Sequence, residues 1–162
     1  MTKKAEKTPA HWKTGKRSYG AGLTLKIAKK MLDAAEKEAE EQGVPMVIAI
    51  ADAGGNLLAL RRMDNAMLMS IQIAMDKAYA VVVGKLPTCE WRGMFQSGEL
   101  VPLFVHERLI TFPGGYPIVR NGVLLGGLGV SGGTVEDSYV AKAALQAGGF
   151  SSKEVDAFLA QC

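Results

Sequence analysis

The sequence predicts an α+β domain in which helices cover an antiparallel sheet. Two segments resemble β-hairpins: residues 46–62, where apolar runs flank the turn 52–56, and residues 117–130, where apolar runs flank Asn121-Gly122. Asn-Gly between apolar runs is a strong signal for a tight hairpin turn. Helical patterns precede, separate and follow these hairpins. Since hairpins pair antiparallel strands and amphipathic helices need a surface to cover, the α+β class follows.

The first predicted element is an amphipathic helix over residues 22–42. Its apolar side chains recur at helical spacing and its lysines and glutamates lie on the other side. Gly43 and Pro45 end the helix. The apolar run 46–51 then predicts a buried strand, and residues 57–62 the strand that returns from the turn.

The central helix is predicted over residues 66–83. It is apolar nearly all round, apart from Gln72, Asp76 and Lys77. Helices of this kind are buried on most sides or placed at subunit contacts. Thr88 is predicted to cap a short helix that reaches residue 96. Residues 97–116 look irregular, and a loop of this length in a compact domain is often functional.

The C-terminal part contains a glycine-rich turn. The strands 117–120 and 123–130 lead into the glycine-rich stretch 126–133, and helices are predicted over 134–149 and 151–161. Backbone N–H groups at a helix N-terminus favour an anionic ligand group. Gly127, Gly129 and Gly132 also match a dinucleotide fingerprint, but no room remains for the second parallel strand that such a site needs. The glycines alternatively allow close packing of a helix on the sheet.

Composition limits the classes of function. A chain of 162 residues fits one domain, with 19 basic against 16 acidic residues and a net charge of +3. The lysines near the start predict a flexible basic arm over residues 1–19, followed by a single domain over 20–162. The domain shows no basic stripe with interleaved aromatics, so we expect no nucleic acid and, without a long apolar run, no membrane partner. Without a signal peptide, and with Cys89 and Cys162 taken as reduced thiols, a cytoplasmic location is expected.

Six spaced motifs carry a resemblance to a known family. They are Ala51-Asp52-Ala53-Gly54-Gly55, Arg62-Met63-Asp64, Asp76-Lys77-Ala78, Phe112-Pro113-Gly114-Gly115-Tyr116-Pro117-Ile118, the stretch 126–133, and Asp137. Over residues 20–148 the chain resembles the GlcG/HbpS family, which includes the C-terminal domain of PduO-type proteins. The resemblance implies a profilin-like fold, an antiparallel sheet of about five strands flanked by helices, and homo-oligomers. It also implies haem binding in some members, and in others a link to glycolate, diol or glycerol metabolism, including bacterial microcompartments. No axial haem ligand carries over by motif.

Lys77 is the strongest single candidate for ligand binding. A lysine in an apolar helix needs solvent or a partner, because an unpaired buried charge is costly. Its ammonium either meets a ligand carboxylate or phosphate beside Ser131 and Gly132, or forms an ion pair with a nearby aspartate, for which the alternatives are Asp52, Asp64 and Asp76. Lys77 can have both roles if its ion pair with the aspartate lines the pocket.

Two further charged candidates lie near a strand end. Asp64 is either a helix cap or a pocket acid that orients Lys77. Arg62 is either a carboxylate clamp or a surface ion pair.

Gly114, Gly115 and His106 complete the candidate set. The backbone amides of Gly114 and Gly115 face the same ligand as Ser131, or simply form a turn into the next strand. His106 has apolar sequence neighbours that suit haem ligation, or it is an ordinary packed or exposed histidine. The sequence has no cluster of cysteine and histidine residues, so we expect no metal site.

Three functions remain open from the sequence. The first is a small-molecule-binding accessory protein linked to glycolate, diol or aldehyde metabolism or a microcompartment, whose ligand is anionic or carbonyl- or diol-like. The second is a haem- or corrinoid-binding protein. The third is a structural or assembly factor that docks to a larger assembly through a helical face or the basic arm. No complete set of acid, base and nucleophile is visible, so a binding role is favoured over catalysis.

Overall fold

A computed structural model describes residues 22–96, 106–150 and 152–160. The elements in chain order are α1 (Leu25–Gln42), β1 (Val47–Asp52), β2 (Leu57–Arg62), α2 (Met69–Gly84), α3 (Thr88–Gln96), β3 (Gly115–Arg120), β4 (Val123–Ser131), α4 (Glu136–Ala147) and α5 (Ser152–Ala160). The predicted α+β class is confirmed. The predicted basic arm, residues 1–19, lies outside the described residues, and its flexibility stays a prediction.

The four described strands form one sheet in the order β2-β1-β4-β3, and all neighbours are antiparallel. Both predicted hairpins are therefore present, and the two central strands are β1 and β4. Val47 at the start of β1 pairs with Arg62 at the end of β2 and with Ser131 at the end of β4. The register thus brings the ends of β2 and β4 to the same end of the sheet.

One face of the sheet packs against α1 and α4 in the larger of two buried clusters. Ile48, Ile50, Leu128 and Val130 are fully buried on this face. Their alternation along β1 and β4 follows the two-residue period of a strand. This cluster holds the N-terminal end of α4 beside the end of β4, where the candidate site lies.

The other face of the sheet carries α2, and glycines let it lie close. A Cβ atom built on Gly127 would lie 2.1 Å from the Ala78 carbonyl oxygen, and one on Gly129 would lie 2.1 Å from the Ala74 carbonyl oxygen. No larger residue fits these positions unless α2 moves away. The glycines therefore serve close helix–sheet packing, and the helix concerned is α2.

The start of the central helix and the state of Cys89 differ from the sequence-based expectation. The helix predicted from residue 66 begins at Met69; Asn65 has a left-handed φ of 65°, and the residue before the helix, Leu68, offers no side-chain cap. Cys89 is disulfide-bonded, not a reduced thiol. Across the described ranges, no helix is long and apolar enough to cross a membrane.

Candidate functional site

A cleft of about 910 Å³ opens where α2, the β4–α4 turn and the segment before β3 meet. The α2 side chains in its wall are Met69, Ser70, Ile73 and Lys77. The turn contributes residues 131–135 and α4 contributes residues 137–139 and Lys142. A volume of this size is typical of sites for small molecules and cofactors.

A buried ion pair between Lys77 and Asp137 forms part of the wall. The Lys77 Nζ atom donates to the Asp137 Oδ2 atom at 2.8 Å and to the Val130 carbonyl oxygen at 2.6 Å. The side chains are 2% and 3% exposed. Burial lowers the pKa of Lys77, and the charge and hydrogen bond of Asp137 oppose that shift.

The predicted aspartate partners of Lys77 are wrong. Asp52 accepts hydrogen bonds from the Gly54 and Asn56 backbone within its own turn, at 2.8 and 2.9 Å. Asp76 pairs with Arg108 at 3.0 Å. Asp64 is exposed and is not part of the pair. The true partner lies 60 positions away in sequence and is supplied by the N-terminal turn of α4.

Two N–H groups of the glycine-rich turn are already hydrogen-bonded within the protein. The Gly133 N–H group donates to the Asp137 Oδ1 atom at 2.8 Å, and the Thr134 N–H group donates to the Glu136 Oε2 atom at 2.9 Å. The hydrogen bond from Thr134 lowers the pKa of Glu136. The two carboxylates of the first turn of α4 thus occupy the N–H groups of Gly133 and Thr134, which leaves these two groups unavailable to a ligand anion.

Gly114 and Gly115 lie behind the ion pair and do not line the cleft. Gly114 has a φ of 110°, and a Cβ atom there would lie 2.9 Å from the Lys77 Nζ atom. The Gly115 N–H group donates to the Thr88 Oγ1 atom at 3.0 Å. The Gly115 amide is therefore already used, and only the preceding residues Phe112 and Pro113 reach the cleft.

Of the other predicted residues, Ser131 and Gly132 line the cleft beside Lys77. Arg62 is exposed and, like Asp64, lies outside the cleft wall. Asp64 is not a helix cap either, since α2 begins at Met69.

His106 also lies away from the cleft. Its ring stacks on Tyr79 of α2, with ring centroids 6.1 Å apart and an interplanar angle of 23°. The Arg108 guanidinium packs over the Tyr79 ring, 3.8 Å from the ring centroid. A role for His106 as an iron ligand stays a prediction, and such a site would lie outside the cleft.

Sequence reasoning missed Ser70. This residue is 1% exposed and lines the cleft, and its Oγ atom has no hydrogen-bond partner among the described residues. It lies seven positions before Lys77, so the two residues share a face of α2. That spacing was a usable signal, but the burial of the hydroxyl depends on packing that the sequence does not display.

The rim of the cleft is apolar and exposed. Its large side chains are Met67, Met69, Phe112, Val135 and Tyr139, which are between 54% and 66% exposed. Methionine and tyrosine are among the side chains that ligate haem iron in proteins. Two cations, Arg92 and Lys142, also line the cleft, and Lys142 pairs with Asp156 at 2.9 Å. An apolar cleft with such donors and cations fits a flat amphiphilic cofactor such as haem.

The part of the chain that the structure describes contains no cluster of three or more His, Cys, Asp or Glu residues that would hold a metal ion by itself. The iron of haem needs only axial donors, because the macrocycle supplies the remaining ligands.

Comparison with known proteins gives one family and several relatives. Residues 23–146 match the family model described as "Haem degrading protein HbpS-like". The chain is 41% identical over 129 residues to an uncharacterised 15.0 kDa protein from the dhaT-dhaS intergenic region of Citrobacter freundii, covering 77% of this chain and 91% of that protein.

Two further matches concern PduO. The corrinoid adenosyltransferase PduO of Citrobacter freundii is 40% identical over 135 residues, which is 81% of this chain but only 40% of the length of PduO. A solved PduOC:heme complex is 34% identical and superposes with a TM-score of 0.74, covering 78% of this chain and 95% of that one.

Proposed function

Since the chain belongs to the HbpS-like family, we propose that it is a small-molecule-binding protein whose cleft takes haem. The observation that carries the proposal is the apolar cleft of about 910 Å³ between α2 and α4. Its volume and lining suit an amphiphilic cofactor. The similar PduOC domain in its haem complex supports the same ligand class. The adenosyltransferase activity of PduO is not part of the proposal, since the chain spans 40% of that protein.

The cleft residues divide into three roles toward haem. Met67, Met69 and Tyr139 carry side chains of the kinds that ligate iron, and each lies on the rim. The other apolar side chains exclude water from the macrocycle. Arg92 and Lys142 provide the positive charge that suits propionate groups. Bound haem would supply a redox-active iron, and the protein would set its access to water and to other ligands.

Titration of the purified protein with haemin tests this proposal. A saturable, sharpened Soret band at one haem per chain is expected. Tyr139→Phe and a Met67→Ala, Met69→Ala double variant are expected to shift the band or weaken binding. His106→Ala is the matched control, since His106 lies outside the cleft.

A broad spectrum like that of free haemin in buffer would reject the haem proposal. A spectrum that depends on His106 and not on the rim residues would move the haem site away from the cleft.

A second ligand class is favoured by one specific observation. The Ser70 hydroxyl is buried and without a partner among the described residues, and it lines the cleft together with Lys77. Buried polar groups without partners call for an explanation, and a ligand oxygen supplies one. We therefore keep a short carbonyl- or diol-type metabolite as the second candidate. This candidate fits the proposed link to glycolate, diol or aldehyde metabolism or to a microcompartment.

Thermal unfolding with propionaldehyde, glycolate and 1,2-propanediol tests the second candidate. A rise in the melting temperature that Ser70→Ala removes would support it. Unchanged melting temperatures with all three compounds would reject it. Homo-oligomerisation and the assembly role of the basic arm stay predictions.

A further inference from the structure

We propose that the Lys77 amine condenses reversibly with an aldehyde or ketone in the cleft to form an imine. The proposal deepens the second ligand class above and rests on it, and it is independent of haem binding. Three features of the cleft wall support it: the position of the Lys77 amine, the carboxylate of Asp137 beside it, and the buried hydroxyl of Ser70.

The first step of the argument concerns the nucleophile. A lysine attacks a carbonyl carbon only as the neutral amine, and lysines in desolvated pockets serve this purpose in proteins. Lys77 lines the cleft yet is 2% exposed, so its charge is poorly solvated. Burial also lowers the pKa of Lys77.

The second step concerns the proton. The Asp137 Oδ2 atom lies 2.8 Å from the Lys77 Nζ atom and accepts a hydrogen bond from it. Proton transfer along this hydrogen bond converts the ion pair into a neutral amine and a carboxylic acid without exposing a charge. The other oxygen of Asp137 accepts from the Gly133 N–H group, which holds the carboxyl group in place.

The third step concerns the carbonyl oxygen. Ser70 lies two helical turns before Lys77 on the same helix, and its hydroxyl has no partner among the described residues. A hydroxyl in the same cleft wall can donate to a polar group of the bound carbonyl compound and so help to hold it in the cleft. The unpartnered hydroxyl is thus explained by the same substrate.

The reaction balances without an oxidant or reductant. The neutral Lys77 amine forms an N–C bond to the carbonyl carbon, and the nitrogen proton passes to the carbonyl oxygen to give a carbinolamine. Asp137 then gives its proton to the carbinolamine hydroxyl, the C–O bond breaks, and water leaves. The product is a protonated imine beside the Asp137 carboxylate, so the charges of the original ion pair are restored.

Reductive trapping tests the proposal on the full chain. The protein is incubated with propionaldehyde and sodium cyanoborohydride, digested, and mapped by tandem mass spectrometry. Labelling of Lys77 ahead of an exposed lysine such as Lys37 is expected. Surface lysines that carry label while the Lys77 peptide carries none would overturn the proposal, and this comparison needs no variant.

Variants then separate the roles of the individual residues. Lys77→Arg retains a cation for Asp137 but should abolish labelling at position 77. Ser70→Ala should slow labelling about tenfold, the factor that one lost hydrogen bond gives. Ser138→Ala is the matched control: its hydroxyl also lines the cleft but is already bonded to Tyr116 at 2.8 Å, so a small effect is expected. Equal rates in the Ser70 and Ser138 variants would remove Ser70 from the proposal.

The outcomes distinguish this proposal from those it accompanies. Failed haemin binding with labelled Lys77 would reject the haem proposal alone. Thermal stabilisation by propionaldehyde without labelling would keep the second ligand class and reject the imine. Neither stabilisation nor labelling would reject both the second ligand class and the imine.

Discussion

The Lys77–Asp137 pair has two separate consequences at the scale of single residues. Both oxygens of Asp137 and two of the three donors of Lys77 are in hydrogen bonds. Such a pair joins α2 to the first turn of α4, and removing one partner from a buried pair costs about 3–5 kcal/mol. A purely structural pair needs no opening to a cleft, however. The chemistry proposed for Lys77 follows from its place in the cleft wall.

Tyr116 gives the first prediction about residues. Its side chain is fully buried, and its hydroxyl donates to the Ser138 Oγ atom at 2.8 Å. Burial raises the pKa of Tyr116 above the ordinary value of 10.0. Above pH 10 the folded state therefore holds this proton more tightly than the unfolded state, so the free energy of unfolding falls as pH rises. The contribution of Tyr116 is fully present below pH 10 and is lost as pH rises through the folded-state pKa.

Urea unfolding of the wild type and of Tyr116→Phe checks this sign. At neutral pH the variant should be about 1 kcal/mol less stable, because it lacks the hydrogen bond. Above pH 10 the gap should shrink, since only the wild type loses stability by ionising this group. Lys77 titrates in both proteins, so its effect cancels in the comparison. A gap that stays constant or widens with pH would contradict the assigned direction.

At the scale of elements, local patterns predicted α1 and both hairpins. The amphipathic pattern and the glycine cap set the end of α1 at Gln42, and Gly43 takes the left-handed conformation with a φ of 69°. The start of α2 was misplaced because no capping side chain marks it. These local signals predict the α+β class, because hairpins and amphipathic helices can bury their apolar faces together in only a few arrangements.

The assembly of the site could not be predicted in the same way. The pairing of Lys77 with Asp137 depends on how α2 and α4 meet across the end of β4, and local periodicity says nothing about contacts between distant elements. The nearer aspartates were plausible by sequence distance alone. Ser70 was overlooked for a related reason, since a serine in a helix is usually solvated, and only packing shows that this one is buried.

The packing of α2 on β4 gives a prediction about elements. Gly129→Ala places a Cβ atom 2.1 Å from the Ala74 carbonyl oxygen, which is backbone and cannot rotate away. We expect a loss of about 3 kcal/mol in the free energy of unfolding, because α2 has to move off the sheet. Gly93→Ala in α3 is the control, since nothing lies within 4 Å of its built Cβ atom. That change should be neutral or stabilising by up to about 1 kcal/mol. Equal stability of both variants in urea unfolding would show that α2 is not held at this distance.

At the scale of the whole molecule, the cleft is lined in part by residues that lie beyond the range of the family match. The match ends at residue 146, but Leu159 of α5 lines the cleft and Val155 of the same helix is 1% exposed. The resemblance read from the sequence likewise ends at residue 148, before this helix. In the structure α5 packs on the larger buried cluster, so a helix beyond the family match helps to shape the cleft.

The basic arm allows a last prediction that separates ligand binding from assembly. The family match begins at residue 23, and the cleft is lined by residues between 67 and 159. A chain that lacks residues 1–19 should therefore keep the melting temperature of the full chain and its affinity for haemin. If the arm is an anchor, the same truncation should abolish co-purification with a larger assembly, while Lys77→Arg should leave co-purification intact. A truncated chain that loses haemin affinity would show that the arm completes the cleft, and the two functions would then belong to one surface.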